Sequence, residues 1–113
     1  MSYSIIPTIK FIKEAKKLKK KYGSLKDELL VLEAILAENP DSGTALGNNT
    51  YKIRIAIKSK GKGKSGGARI ITYKVVENLE VYLLTIYDKS ELNNIEDKII
   101  SKIIADIITD SSR

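Results

Sequence analysis

Three strand-like segments that follow one another between residues 51 and 87 constrain the fold of this chain most strongly. Residues 51–58 alternate strictly, with Tyr51 and three isoleucines on one side and basic residues or alanine on the other, a pattern typical of a half-buried strand. Residues 68–76 are apolar on both sides, as expected of a central strand, and residues 81–87 form a third apolar run. Because the links are short, the segments are predicted to form an antiparallel meander.

Helical patterns flank these strands. Residues 8–22 carry apolar side chains at helical spacing, and residues 24–38 carry a second stripe of four leucines. Ser24 and Asp27 form a variant of the capping box at the start of the second helix. Residues 39–50 are rich in turn-forming residues and are predicted to be loop. Residues 94–109 predict a last helix, whose broad isoleucine stripe is either deeply packed or partly reserved for a partner.

The element order predicts an α+β fold. Two N-terminal helices would pack on a small antiparallel sheet of three to four strands, followed by a C-terminal helix; an extra edge strand would lie near residues 4–6. Residues 1–113 are expected to form a single domain, because a chain of this length builds one modest core.

The composition excludes several classes of function. The chain has no cysteine and no histidine, which excludes disulfides, thiolate metal sites, most zinc sites, and Ser-His-Asp or Cys-His triads. No segment approaches the roughly 20 apolar residues of a membrane span. Residues 1–10 lack the long apolar stretch of a secretory signal. A cytoplasmic protein without cofactor, metal or membrane contact is therefore expected.

The net charge of +6 is unevenly distributed. Residues 1–22 carry seven lysines and one acid, and residues 51–74 carry six lysines, two arginines and no acid. The intervening and C-terminal segments are net acidic. This segregation suggests a surface that faces a polyanion, with nucleic acid the leading candidate. For the N-terminal lysines alone, a solubilising helix face is the simpler interpretation.

Four cationic residues could converge on the sheet. Lys52 and Arg54 lie on the polar side of the first strand, and Arg69 opens the second. Lys89 follows the third strand, next to Tyr87, a candidate for base stacking or proton transfer. Such a cluster could hold a phosphate and stabilise a pentacoordinate transition state. An ordinary solvated sheet face is equally compatible with this spacing.

Residues 59–67, SKGKGKSGG, form a basic glycine-rich loop between the first two strands. The loop lacks the spacing of a nucleotide-triphosphate-binding loop and precedes a strand rather than a helix. A mobile loop that embraces an RNA backbone fits better, and a merely solvated loop is the alternative. The RNA-binding candidates in and beside it are Lys58, Lys60, Lys62 and Lys64.

The lysine-rich first helix, the block YKIRIAIKSKGKGKSGGARIITYKV and the segment LLTIYDKSELNNI together resemble the RelE/ParE superfamily of toxins from type II toxin–antitoxin modules. The similarity is greatest to the RelE/HigB-like branch and covers nearly the whole chain. It implies a ribosome-dependent endoribonuclease that cuts mRNA in the ribosomal A site without metal. The implied partners are a cognate antitoxin, the small ribosomal subunit and mRNA.

The resemblance also implies residue roles. Lys52 and Arg69 would bind the scissile phosphate, and Lys89 would protonate the leaving 5′-oxygen. Arg54 occupies a position that can hold a lysine acting as base, but arginine accepts protons poorly at neutral pH, so charge stabilisation is expected of it. The family's catalytic tyrosine position falls on asparagine here. The general base is therefore left open, with Tyr87 as a substitute.

Two other functions are compatible with the same sequence. A ParE-like protein would inhibit DNA gyrase by binding it and would not need to surround a phosphate. A non-catalytic ribosome- or RNA-binding module would bind with a steep salt dependence and yield no cyclic phosphate product.

Overall fold

The computed structural model describes residues 2–61, 63, 66–92 and 94–111, with the backbone alone for residues 110 and 111. The helices and strands run in the order β1 (Ser4–Pro7), α1 (Ile9–Lys21), α2 (Leu25–Glu38), β2 (Thr44–Gly47), β3 (Thr50–Ile55), β4 (Ala68–Val75), β5 (Glu80–Asp88) and α3 (Asp97–Ser111). Short 3-10 turns cover Lys58–Lys60 and Val76–Asn78. Within the described part of the chain, no helix is long and apolar enough to cross a membrane.

The two N-terminal helices begin in different ways. The Thr8 hydroxyl accepts from the Phe11 amide at 3.2 Å and caps α1, and it also donates to the Leu83 carbonyl of β5 at 2.9 Å. The capping box predicted for α2 is wrong, because Ser24 makes no side-chain cap. Its hydroxyl donates instead to Glu28 at 3.1 Å and lies 2.9 Å from the Ser59 hydroxyl. Tertiary contact thus replaces the local cap.

In the described part of the chain, the sheet has five strands in the order β1-β5-β4-β3-β2. Strands β3, β4 and β5 form the predicted antiparallel meander with β4 at the centre. The edge strand expected near residues 4–6 is β1, which pairs parallel with β5. The sheet is therefore mixed, and the predicted antiparallel sheet of three to four strands needs this correction.

The prediction that residues 39–50 are all loop is wrong, because β2 forms a hairpin with β3. Asn48 and Asn49 turn the chain with φ of 53° and 61°, and asparagine tolerates this left-handed conformation better than most residues. All four residues of β2 are exposed, so the strand lacks the apolar alternation by which a sequence reveals a strand.

Among the residues that the structure describes, the sheet separates two apolar clusters. One contains the buried faces of α1 and α2 together with Ile53, Ile70 and Leu83 of the strands. The other lies beneath α3 and contains Ile71, Tyr87 and other buried residues. Helix α3 is only partly packed, because Ile99 and Ile108 remain 40% and 57% exposed.

Candidate functional site

Strand register places Arg54, Arg69 and Tyr87 in one row across the sheet. Arg54 is opposite Arg69 on β3 and β4, and Arg69 is opposite Tyr87 on β4 and β5. Directly opposed residues of antiparallel strands point to the same face, about 5 Å apart. Tyr87 belongs to the cluster beneath α3, so the row lies on the α3 side of the sheet, away from α1 and α2. Lys52, two residues before Arg54, points to this face as well.

Burial increases from the edge of this row towards its centre. Arg54 is exposed and Lys52 is half-buried, whereas Arg69 is only 5% exposed. A guanidinium of Arg69 donates to the Ala68 carbonyl at 3.2 Å. Arginine stays protonated even when buried, so Arg69 places a permanent positive charge inside the sheet. Arg54 and Lys52 are thus accessible on β3, and the charge of Arg69 lies buried beside them on β4.

The Tyr87 hydroxyl is buried and, among the described residues, has no hydrogen-bond partner. Burial raises the pKa of Tyr87, and the nearby charge of Arg69 offsets this only in part. The phenol is therefore protonated at neutral pH and is suited to donate a hydrogen bond rather than to accept a proton. A buried unsatisfied hydroxyl costs stability, so its retention is compatible with a partner that arrives from outside.

Lys89 lies directly after β5, beside Tyr87. Its backbone amide donates to the Gly67 carbonyl at 3.0 Å, which ties the position to the start of β4. A Cβ on Gly67 would come within 2.0 Å of the Ile55 carbonyl oxygen. Gly67, two residues before Arg69, is thus required by the close approach of β3 and β4, and backbone pairing places Lys89 two positions along the strands from the Arg69–Tyr87 pair.

The loop lysines differ in their surroundings. Lys58 is exposed and lines a groove of about 670 Å³ between α2 and β3, which also contains Asp27 and Glu28, so this groove is on the helix side of the sheet and is separate from the row. Lys60 does not behave as the mobile loop residue that the sequence suggested, because it forms an ion pair of 2.5 Å with Asp88. Lys62 and Lys64 lie outside the described residues.

Sequence reasoning missed Asp88. Its side chain is fully buried and accepts hydrogen bonds from Lys60, Tyr22 and Ser90. Burial by itself would raise the pKa of Asp88, but these hydrogen bonds outweigh it and hold the pKa well below its usual range. The sequence did offer one signal, an acidic residue next to the basic residues at this end of the sheet. The residues that pair with Asp88 could not be recognised, because they are distant in sequence.

A family model described as the RelE toxin of the RelE/RelB toxin–antitoxin system matches residues 6–111. The chain belongs to the RelE toxin family. The fold is also similar to a double arginine-to-alanine mutant of the E. coli toxin RelE in the free state, with a TM-score of 0.63 and 17% identity over 95% of this chain and 99% of that one. A crystal form of the isolated E. coli RelE toxin gives a TM-score of 0.60 and 17% identity over 94% and 99% of the two chains.

The matches confirm the RelE-superfamily resemblance and the α+β architecture predicted from the sequence. The family match rests on the whole span from β1 to α3, rather than on one short motif. The roles of individual residues in this member stay predictions.

Proposed function

We propose that this toxin is a metal-independent endoribonuclease that cleaves mRNA in the A site of the ribosome. The observation that carries the proposal is the row Arg54–Arg69–Tyr87, with Lys52 and Lys89 at its border. Phosphodiester cleavage adds negative charge to the phosphoryl oxygens in the transition state, and preorganised cations stabilise that charge. A ParE-like protein that only binds DNA gyrase would not need to surround a phosphate with such a row.

In the proposed reaction, the substrate's 2′-hydroxyl loses its proton to a solvent water while its oxygen attacks phosphorus, and the bond from phosphorus to the 5′-oxygen breaks. The products are a 2′,3′-cyclic phosphate and a free 5′-hydroxyl. Lys52 and Arg69 bind the phosphoryl oxygens, and Arg54 stabilises charge at the rim. Lys89 delivers the proton that the leaving 5′-oxygen needs.

Tyr87 acts in this scheme as a hydrogen-bond donor. Its raised pKa makes it a poor base at neutral pH, and Arg54 is excluded as a base because it stays protonated. Catalysis then depends mainly on charge stabilisation and on protonation of the leaving group. Because Arg69 is buried in the free chain, contact with a phosphate requires the covering side chains to move aside.

The toxin's partners follow from this assignment. A cognate antitoxin would neutralise it, and the ribosome and mRNA would be its targets, which places its action in the cytoplasm. The positive net charge favours rapid encounter with RNA.

Primer extension on a defined mRNA in a purified translation system tests the proposal. We expect new 5′ ends at A-site codons only when ribosomes are present, and we expect Arg54→Ala and Arg69→Ala to abolish or strongly reduce them. Arg54 is exposed, so its variant should fold even if the buried Arg69 variant does not. Lys26→Ala on α2, across the sheet from the row, is the matched control.

Intact mRNA with folded wild-type protein would refute the nuclease assignment. The same protein would then be assayed for inhibition of DNA gyrase supercoiling and for ribosome binding without cleavage.

A further inference from the structure

Asp88 is a buried charged group that the proposed reaction does not use. It is the last residue of β5 and precedes Lys89 directly. One carboxylate oxygen accepts from the Lys60 ammonium at 2.5 Å and from the Ser90 amide and hydroxyl at 2.9 and 2.7 Å. The other oxygen accepts from the Tyr22 hydroxyl at 2.7 Å. With all four donors in place, the carboxylate is held ionised without contact with solvent.

These contacts connect three parts of the chain that are distant in sequence. Tyr22 follows α1, Lys60 ends the 3-10 turn after β3, and Ser90 lies in the turn after β5. The turn of Lys60 is held from its other side as well. The Lys58 amide donates to Glu28 at 2.7 Å, and the Ser59 amide donates to Ser24 at 2.9 Å.

Both ends of the basic loop, residues 59–67, are therefore bound to two adjacent residues, Asp88 and Lys89. At its start, the Lys60 side chain pairs with Asp88. At its end, the Gly67 carbonyl accepts from the Lys89 amide at 3.0 Å. The backbone of residues 88–89 is thus the common support of the loop and of the proposed general acid.

We propose that Asp88 is a positioning residue for the cleavage reaction: through Lys60 it fixes the base of the basic loop and the placement of Lys89 beside Arg69. This inference rests on the proposed function. Loss of the Asp88 charge releases the Lys60 ammonium and loosens the segment from which the Lys89 side chain extends. Small displacements of a catalytic group can lower a rate by about 100-fold.

The test compares single-codon cleavage rates of Asp88→Asn, Lys60→Gln and the double variant. We expect kcat to fall about tenfold to 100-fold in each single variant, with a smaller change in KM. The double variant should lose little more than either single, because both changes break one contact. Lys60→Arg, which keeps the charge, should recover most of the rate.

The matched control is the exposed pair of Lys21 and Glu91, which joins the end of α1 to the turn after β5 at 3.0 Å. Lys21→Gln and Glu91→Gln should leave kcat near the wild-type value. All rates are expressed per folded molecule, from circular dichroism at the assay temperature, so that simple loss of stability does not count as loss of positioning.

Hydrogen exchange gives a second measurement that does not depend on catalysis. The Lys60 and Gly61 amides bond to the Ile57 and Lys58 carbonyls, both at 3.0 Å. Their exchange should accelerate in Asp88→Asn, whereas that of the Ile70 amide in β4 should not.

The possible outcomes separate the two proposals. A wild-type protein that does not cleave mRNA overturns the proposed function, and the positioning role falls with it. An active wild type whose Asp88→Asn variant keeps its kcat per folded molecule overturns the positioning role alone. Unchanged exchange at Lys60 and Gly61 would also overturn it.

Discussion

At the scale of single residues, the site is defined by two buried side chains with opposite hydrogen-bonding situations. The Tyr87 hydroxyl has no partner among the described residues, whereas the Asp88 carboxylate accepts from four donors. A buried hydroxyl without a partner is costly, and a buried carboxylate with four donors is stabilising only while they remain. The first situation leaves the Tyr87 hydroxyl able to donate to a ligand, and the second is that of a structural support.

Tyr87→Phe separates the effect of the unpaired hydroxyl on stability from its proposed effect on cleavage. Removing the unpaired hydroxyl should not lower the free energy of unfolding and should raise it by up to about 1–3 kcal/mol, the penalty of an unsatisfied buried polar group. The same change should slow mRNA cleavage if the hydroxyl donates to the substrate. Urea unfolding and primer extension on one preparation measure both effects, with Tyr73→Phe on β4 as control. A variant that is less stable would contradict the absence of an internal partner.

Asp88 should dominate the acid sensitivity of the fold. Its pKa is lowered in the folded state, so its contribution is present above the unfolded pKa of about 4 and is lost as pH falls towards the folded value. Asp88→Asn should reduce stability at pH 7 and flatten its decline below about pH 4. Asp41→Asn is the control, because Asp41 pairs with Lys74 at the same 2.5 Å but is 64% exposed. Equal changes in stability from both variants would argue that the burial of Asp88 is not the cause of its acid sensitivity.

At the scale of elements, the β3–β4 contact aligns the cationic row. Beside the Arg54–Arg69 pair, the chain closes tightly at Gly67, against the Ile55 carbonyl. Helix α3 then covers the Tyr87 end of the row with a partly exposed isoleucine stripe. The alignment of Arg54 and Arg69 across the sheet is thus a result of strand pairing.

Gly67→Ala tests this strand contact. The new Cβ would overlap the Ile55 carbonyl oxygen, so β3 and β4 must separate at this end, at a cost of about 1–3 kcal/mol or more. Gly23→Ala is the control, since a Cβ there meets nothing within 4 Å. Thermal unfolding should show a large fall for the first variant and almost none for the second. Similar midpoints would show that the close approach is not needed.

At the scale of the whole molecule, charge and topology act together. Helices α1 and α2 pack on one face of the sheet and the row Arg54–Arg69–Tyr87 lies on the other, so the sheet separates the lysines of α1 from the arginines of the row. Each phosphate contact to single-stranded RNA contributes about 0.7 to the slope of binding against salt on logarithmic axes. This slope therefore tests whether the face that carries the row is the one that binds RNA.

Replacing Lys52 and Arg54 with Gln should lower the salt slope for a single-stranded RNA by about 1.4. Replacing the exposed helix lysines Lys13 and Lys26 should leave the slope near the wild-type value. Fluorescence anisotropy at several salt concentrations measures both. A larger change from the helix pair would place the RNA contact on the other face.

The sequence alone determined the helices, the three-strand meander and the identity of the clustered cations, because each depends on local periodicity or on residue type. It could not determine the β2 hairpin, whose exposed residues carry no apolar alternation. Tertiary structure decided the register that aligns Arg54, Arg69 and Tyr87, and it decided that Lys60 pairs with Asp88. Such pairings join residues that are distant in the chain and depend on how packed strands and turns meet, which the spacing along the sequence does not specify.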